Sequence, residues 1–356
     1  MAYSSITKPT DYFNTVTYTG NGSTNAITGV GFQPDWVWLK VRSAGSGQDH
    51  TLYDAVRGTT KFIESNTTDA EATGSNYLTA FGTDGFTLGN DQSHVNASSD
   101  TYVSWNWKAG GGQGSSNTDG TINSTYTSAS TTGGFSIVQY TGNGSTNQTV
   151  GHGLGAVPDF IIIKQTNTTR NWPTYSKAMG NGVAFLDITD AWNGGSGYTN
   201  YWYTSGMTST TFGISNNDNN NQSGGTFIAY VFSSKTGYSK FGTYTGNGNA
   251  DGTFIYTGFK PAFFLIKGTS NTESWIMWDN KRGNQGSKAN PQDLRLLPNG
   301  NNVEADADID FLSNGFKLRA TGAAWNGSGV NYLYMAFAEN PFVANDSGTA
   351  VPVVAR

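Results

Sequence analysis

An aromatic residue beside an acid and a base is the arrangement in this sequence best suited to recognising a ligand. Leu52-Tyr53-Asp54-Ala55-Val56-Arg57-Gly58 matches Met277-Trp278-Asp279-Asn280-Lys281-Arg282-Gly283. A ring can stack on a sugar, and a neighbouring Asp and Arg can form bidentate hydrogen bonds with it. Tyr53, Asp54, Arg57, Trp278, Asp279 and Arg282 are therefore the candidate binding residues. The same spacing also suits an Asp–Arg pair that pins a loop to the fold. This structural role ranks first, because repeated motifs usually maintain the repeat itself. A third region, Trp172-Pro173-Thr174-Tyr175, keeps the aromatics and lacks the Asp and Arg.

Asp306-Ala307-Asp308-Ile309-Asp310 places three carboxylates on one face of a strand or in one loop, a candidate Ca²⁺ site. An EF-hand would need Gly at the sixth position and Glu at the twelfth, where Phe311 and Lys317 stand. A solvated acidic face is the plainer reading. Catalytic arrangements are weaker still. His50, His94 and His152 recur in no common position and read as loop residues. Without cysteine, a nucleophile would have to be a serine, and there is no G-x-S-x-G turn. Nor do the repeats share the acid pair that glycoside hydrolysis requires. The expected protein is not an enzyme and needs no cofactor.

Composition sets the class. The 356 residues include 47 glycines and no cysteine; 13% are charged and 13% aromatic. Disordered chains show the opposite balance of charge and aromatics. Strands with half-buried faces joined by Gly/Asn turns fit it. A net charge of -5 with no basic cluster argues against nucleic acid and against an anionic membrane surface. No run of some 18 apolar residues would span a membrane, and Met1 to Ser5 lacks the features of a signal peptide. Synthesis in a cytoplasm is expected.

The elements that must position these residues come in three copies. Tyr18-Thr19-Gly20-Asn21-Gly22 recurs from Tyr140 and from Tyr244. Later in each copy an apolar strand ends in lysine: Pro34 to Lys40, Pro158 to Lys164 and Pro261 to Lys267. Next come Phe86, Phe212 and Phe316. Closing strands follow at Tyr102 to Trp107, Phe227 to Phe232 and Tyr332 to Phe337. Alternation in the first of these puts Val103, Trp105 and Trp107 on one face. Trp36 to Leu39 reads as a strand buried on both sides. Lys40, Lys164 and Lys267 can snorkel from a sheet edge and blunt edge pairing. Asp69 to Ala80 is the best candidate for a short helix.

The expected architecture is all-β, with three tandem β-sandwich repeats of jelly-roll or concanavalin type at 12–108, 134–234 and 238–342. Residues 109–133 read as a Gly/Ser/Thr-rich linker or arm, and 343–356 as a polar tail. As a set, the YTGNG start, the Pro-Asp-aromatic strand, the Asp-x-x-Arg-Gly loop and the Tyr332-to-Phe342 close resemble a family of virion proteins from marine tailed bacteriophages. That family is usually labelled tail fibre or tail-associated, with lectin-like sandwich domains. The resemblance implies a place on the virion's exposed surface, contacts with other virion proteins and with host glycans, and a homo-oligomer, trimeric by analogy. It implies no catalytic residues. Two other roles stay open: capsid decoration or a head fibre, and, remotely, glycan hydrolysis.

Overall fold

Short stretches of β-branched and aromatic residues, punctuated by Gly and Asn, leave the chain little choice but strands. The computed structural model describes residues 4, 6–42, 47–193, 198–283, 290, 292–341, 343–346 and 349–352. It is all-β and antiparallel, with three large sheets and three smaller ones besides a terminal hairpin.

The first large sheet runs, in spatial order, Phe13–Thr19, Thr101–Trp107, Trp36–Val41, Thr51–Asp54, Lys61–Glu64 and Ala72–Thr73. The second runs Ser124–Ser130, Phe135–Thr141, Thr226–Phe232, Phe160–Gln165, Pro173–Ser176 and Ala184–Phe185. In the third the order is Ser239–Thr245, Asn331–Pro341, Phe259–Gly268 and Ile276–Asp279. Opening strand, closing strand, Pro-led strand and next strand lie side by side in all three. Registers match as well. Trp38 pairs with Trp105, Ile162 with Tyr230, and Leu265 with Met335.

Strict alternation gives each Pro-led strand two buried faces. One face of every large sheet feeds a single central cluster. Trp36, Trp38, Trp105 and Trp107 enter it from the first sheet, Ile162, Tyr230 and Phe232 from the second, and Phe263, Leu265, Met335 and Phe337 from the third. The opposite faces pack on the smaller sheets: Val37 and Leu39 against Ile27 and Phe86, Ile161 and Ile163 against Val150 and Phe212, Phe264 and Ile266 against Ile255 and Phe316. Each buried aromatic removes ~150–250 Å² from water, on the order of 4–6 kcal/mol at ~25 cal/mol/Å². Apolar burial therefore supplies most of the driving force, and the polar groups decide which surfaces meet.

Three expectations need correction. Residues 109–133 include a strand, Ser124–Ser130, which pairs along Phe135–Thr141 and occupies a sheet edge. Ile122 also bridges to Val150, so this segment is built into the fold. Asp69 to Ala80 forms no helix. Ala72–Thr73 pairs with Lys61–Glu64, and Leu78 begins a strand against Gly85–Leu88. In the tail, Val343–Asp346 and Thr349–Pro352 form a hairpin, and residues 353–356 lie outside those described.

Candidate functional site

Tyr53, Asp54, Arg57, Trp278, Asp279 and Arg282 all lie in the interior. None presents a surface on which a sugar could stack. Asp54 ends the strand beside the Pro-led strand, opposite Trp36, and Asp279 stands opposite Phe263 in the same way. A one-turn reversal follows each acid and returns the arginine to it. Arg57 Nε donates to Asp54 Oδ2 at 2.6 Å, and Arg282 Nε to Asp279 Oδ2 at 2.5 Å. Burial works against both guanidinium charges. The partner carboxylates outweigh it and hold both arginines above their ordinary pKa.

Each acid takes a further hydrogen bond from another copy of the sequence pattern. The Tyr230 hydroxyl, on the second closing strand, donates to Asp54 Oδ2 at 2.8 Å. Trp105 Nε1, on the first closing strand, donates to Asp279 Oδ2 at 2.9 Å. The Arg282 guanidinium also lies 5.4 Å from the Trp105 ring centroid. In the second copy Ser176 stands opposite Phe160, where the others have Asp, and Met179 takes the arginine's place. The residue that register aligns with Trp105 and Tyr230 is Met335. Met179 packs on the central cluster to which Met335 belongs. Where the ion pair is missing, its cross-copy donor is missing too.

The three lysines follow the same directional rule and do not guard an edge. Each sits on a strand paired on both sides, with its side chain buried. Lys40 Nζ donates to the carbonyls of Gln48 at 2.6 Å and, in the third copy, Asn301 at 3.1 Å. Lys164 Nζ reaches Arg170 at 2.6 Å and, in the first copy, Thr68 at 2.8 Å. Lys267 Nζ reaches Gly268 at 2.8 Å and, in the second copy, Thr189 at 3.1 Å. Burial pushes all three ammonium groups down to about 8, partly offset by carboxylates such as Asp49, Asp187 and Asp190.

His50 is likewise interior, contrary to its reading as a loop residue. It precedes Thr51–Asp54 just as Trp172 precedes Pro173–Ser176 and Trp275 precedes Ile276–Asp279. Trp172 Nε1 donates to the Thr67 carbonyl at 3.0 Å and Trp275 Nε1 to that of Phe185 at 2.7 Å, both across copies. His50 Nδ1 accepts from Trp38 Nε1 at 2.8 Å. Burial, with Lys40 nearby, holds its pKa well below the ordinary value, so the ring is neutral. His152 is buried and is also pushed down by desolvation. His94 is half-buried, with Nδ1 2.8 Å from the Tyr77 hydroxyl.

The YTGNG repeat is a corner. Gly22, Gly144 and Gly248 have φ of 66°, 71° and 65°, which glycine adopts without strain. A buried asparagine that sequence reading missed locks each corner. Asn96, Asn221 and Asn326 accept from the backbone N–H groups of Asn21, Asn143 and Asn247 at 3.1, 2.9 and 3.0 Å. Their amides donate onward to the carbonyls of Ser23, Ser145 and Asn249. A constant spacing of six residues to the closing-strand aromatics Tyr102, Phe227 and Tyr332 was the available signal, hidden by the abundance of asparagine.

Asp306, Asp308 and Asp310 do share a strand face, with Ala307, Ile309 and Phe311 turned into the core. Asp310 is taken by Arg319, whose Nε donates to it at 2.5 Å. Burial, then the charges of Asp293, Asp306 and Asp310, raise the pKa of Asp308. Among the described residues no three acidic or histidine side chains gather as a metal-holding group. The surface offers a shallow depression of about 430 Å³ lined by Arg170, Asn200, Asn216, Asn217, Asp218 and Asn219. It has hydrogen-bonding groups and no ring.

These observations define an all-β antiparallel protein whose repeated polar residues join its parts. The chain belongs to the family described as "Domain of unknown function (DUF7483)", which matches residues 8–341, nearly the whole chain. A comparison with curated proteins finds no match.

Proposed function

We propose that this chain is a non-enzymatic structural protein of a bacteriophage particle, a tail-fibre or tail-tip subunit that contacts the host surface, built as three β-sandwich copies round one core. The inward orientation of the repeated chemistry carries this reading. The Asp–Arg pairs, the lysines and the corner asparagines all hold the chain together, as a structural component of a particle requires. The phage-protein resemblance of the repeated motifs agrees with it. Adhesion would gain avidity from several chains per particle, since among the described residues the copies expose no common binding loop.

Capsid decoration is the second reading, favoured by that same lack of a repeated outward site. Cryo-electron microscopy of the assembled particle separates the two. Density for the chain projecting from the tail supports adhesion, density on the capsid lattice supports decoration, and absence from the particle overturns both. Sedimentation of the purified chain tests the expected homo-oligomer. A monomer would mean that the three copies already supply the threefold character that the analogy assigned to three chains.

A further inference from the structure

Among the described residues, Phe254, Tyr256 and Val303 are the exposed large hydrophobics, at 43%, 55% and 40%. Phe254 and Tyr256 stand two apart on the edge strand Phe254–Tyr256, so both rings share the outer face while Ile255 enters the core. Register provides an internal control. Ile255 pairs with Phe316 as Ile27 pairs with Phe86 and Val150 with Phe212. The flanking positions are the exposed Ala26 and Thr28 in the first copy, and the half-buried Thr149 and buried Gly151 in the second, where Ile122 bridges to the strand. The same strand therefore forms twice without aromatics, and the fold does not require Phe254 or Tyr256.

The surroundings of the pair narrow what it could bind. Gly315 stands opposite Tyr256, and a Cβ there would lie 3.1 Å from the Phe254 ring, so the shelf beneath that ring is backbone. Lys240 Nζ lies 5.2 Å from the Tyr256 ring centroid and donates to its carbonyl at 2.7 Å. Lys317, opposite Phe254, pairs with Asp251 at 2.6 Å, and Arg319 pairs with Asp310. Lys317 and Arg319 are paired with carboxylates and Lys240 is turned onto the Tyr256 carbonyl and ring, so the rim sets oriented donors and an acceptor beside the rings, which suits hydroxyls. Size points the same way. A stable protein interface buries roughly 800 Å² per partner around an apolar centre, whereas two rings match one or two sugar units.

We propose that Phe254 and Tyr256 form a carbohydrate-stacking platform on the third copy, with Lys240, Asp251, Lys317 and Arg319 as hydrogen-bonding rim. Sugar C–H faces would lie on the rings, the same amphipathic use that makes exposed aromatics effective contact residues. This site deepens the adhesive reading and depends on it for its biological meaning.

The test is binding of the labelled full-length chain to an array of bacterial surface polysaccharides and oligosaccharides, wild type against Phe254→Ala/Tyr256→Ala. A control variant, Thr28→Ala, alters the exposed first-copy position equivalent to Tyr256. The expected result is at least a tenfold loss of glycan signal in the double variant, an unchanged signal in the control, and unfolding midpoints alike in all three. Glycan binding that survives the double substitution overturns the platform and leaves adhesion standing. No glycan binding by the wild type overturns the platform, even if the chain is found at the tail. A change in sedimenting mass on removing the rings, without glycan binding, makes the pair a protein contact and overturns the proposal too.

Discussion

Replacing the Asp54–Arg57 junction by the residues of the second copy should be far less damaging than breaking it. Asp54→Ser alone leaves a guanidinium in the interior. Its remaining partners are Glu71 at 3.3 Å and the Leu52 carbonyl at 2.9 Å, and the Tyr230 hydroxyl loses its acceptor. Arg57→Met alone leaves a buried carboxylate with the Tyr230 hydroxyl and the backbone N–H of residue 57. Breaking one side of a buried pair costs about 3–5 kcal/mol. The triple variant Asp54→Ser/Arg57→Met/Tyr230→Met reproduces the Ser176, Met179 and Met335 set. Removing a whole buried ionic group is often close to neutral, and repacking adds about 1–3 kcal/mol. The triple variant is therefore expected within about 3 kcal/mol of wild type, whereas the Asp54→Ser and Arg57→Met costs sum to roughly 6–10 kcal/mol. Urea unfolding followed by tryptophan fluorescence measures this, with Trp36 reporting locally from 4.3 Å away from the Tyr230 ring. A triple variant as unstable as that sum, or single variants that each cost under about 1 kcal/mol, would refute the reasoning.

Alkaline stability should rise and then fall. Lys40, Lys164 and Lys267 titrate at about 8 when folded against 10.5 unfolded, so between those values the unfolded chain holds more protons and stability increases with pH, by up to roughly 3 kcal/mol per lysine. Above about pH 10 buried tyrosines such as Tyr140 and Tyr244, held well above their ordinary value by burial, reverse the slope because only the unfolded chain loses those protons. Urea midpoints from about pH 7 to 11 should pass through a maximum, and a steady fall from neutrality would count against the buried ammonium groups. Asn221→Ala should cost roughly 2–4 kcal/mol by orphaning the Asn143 N–H and the Ser145 carbonyl. A loss below about 0.5 kcal/mol in the same unfolding assay would show that water replaces the side chain without penalty.

The sequence made the strands legible because alternation and glycine punctuation are local. Trp36 to Leu39 is buried on both faces as its composition implied, and Val103, Trp105 and Trp107 share the central cluster. The Asp-x-x-Arg loop was legible as a pin, while its partners Tyr230 and Trp105 lie more than 170 residues away in the chain. Lateral position was hidden for the same reason. Lys40 ends a strand in sequence, yet that strand lies between two others, so a residue read as an edge guard is an interior donor. Segment 109–133 misled because Ser and Thr suit an exposed arm and an edge strand equally, and only the pairing with Phe135–Thr141 decides between them.

The side-chain hydrogen bonds between copies of the sequence pattern also run in one direction. Donors run from the first copy to the third, from the second to the first and, for Lys267 and Trp275, from the third to the second. Apolar faces alone would discriminate poorly between this order and its reverse, since every copy offers the centre a similar set of rings. In the reverse order Trp105 would meet Ser176 and Met179, exchanging a carboxylate acceptor for at most a serine hydroxyl. Met335 would meet Asp54 and Arg57, leaving that carboxylate without its cross-copy donor. Each mismatch forfeits one cross-copy hydrogen bond to a carboxylate, about 1.5–3 kcal/mol, that the observed order makes. Two polar junctions and one apolar junction thus distinguish positions that three identical ones could not, which gives a physical reason for Ser176 and Met179 to stand where the other copies have Asp and Arg.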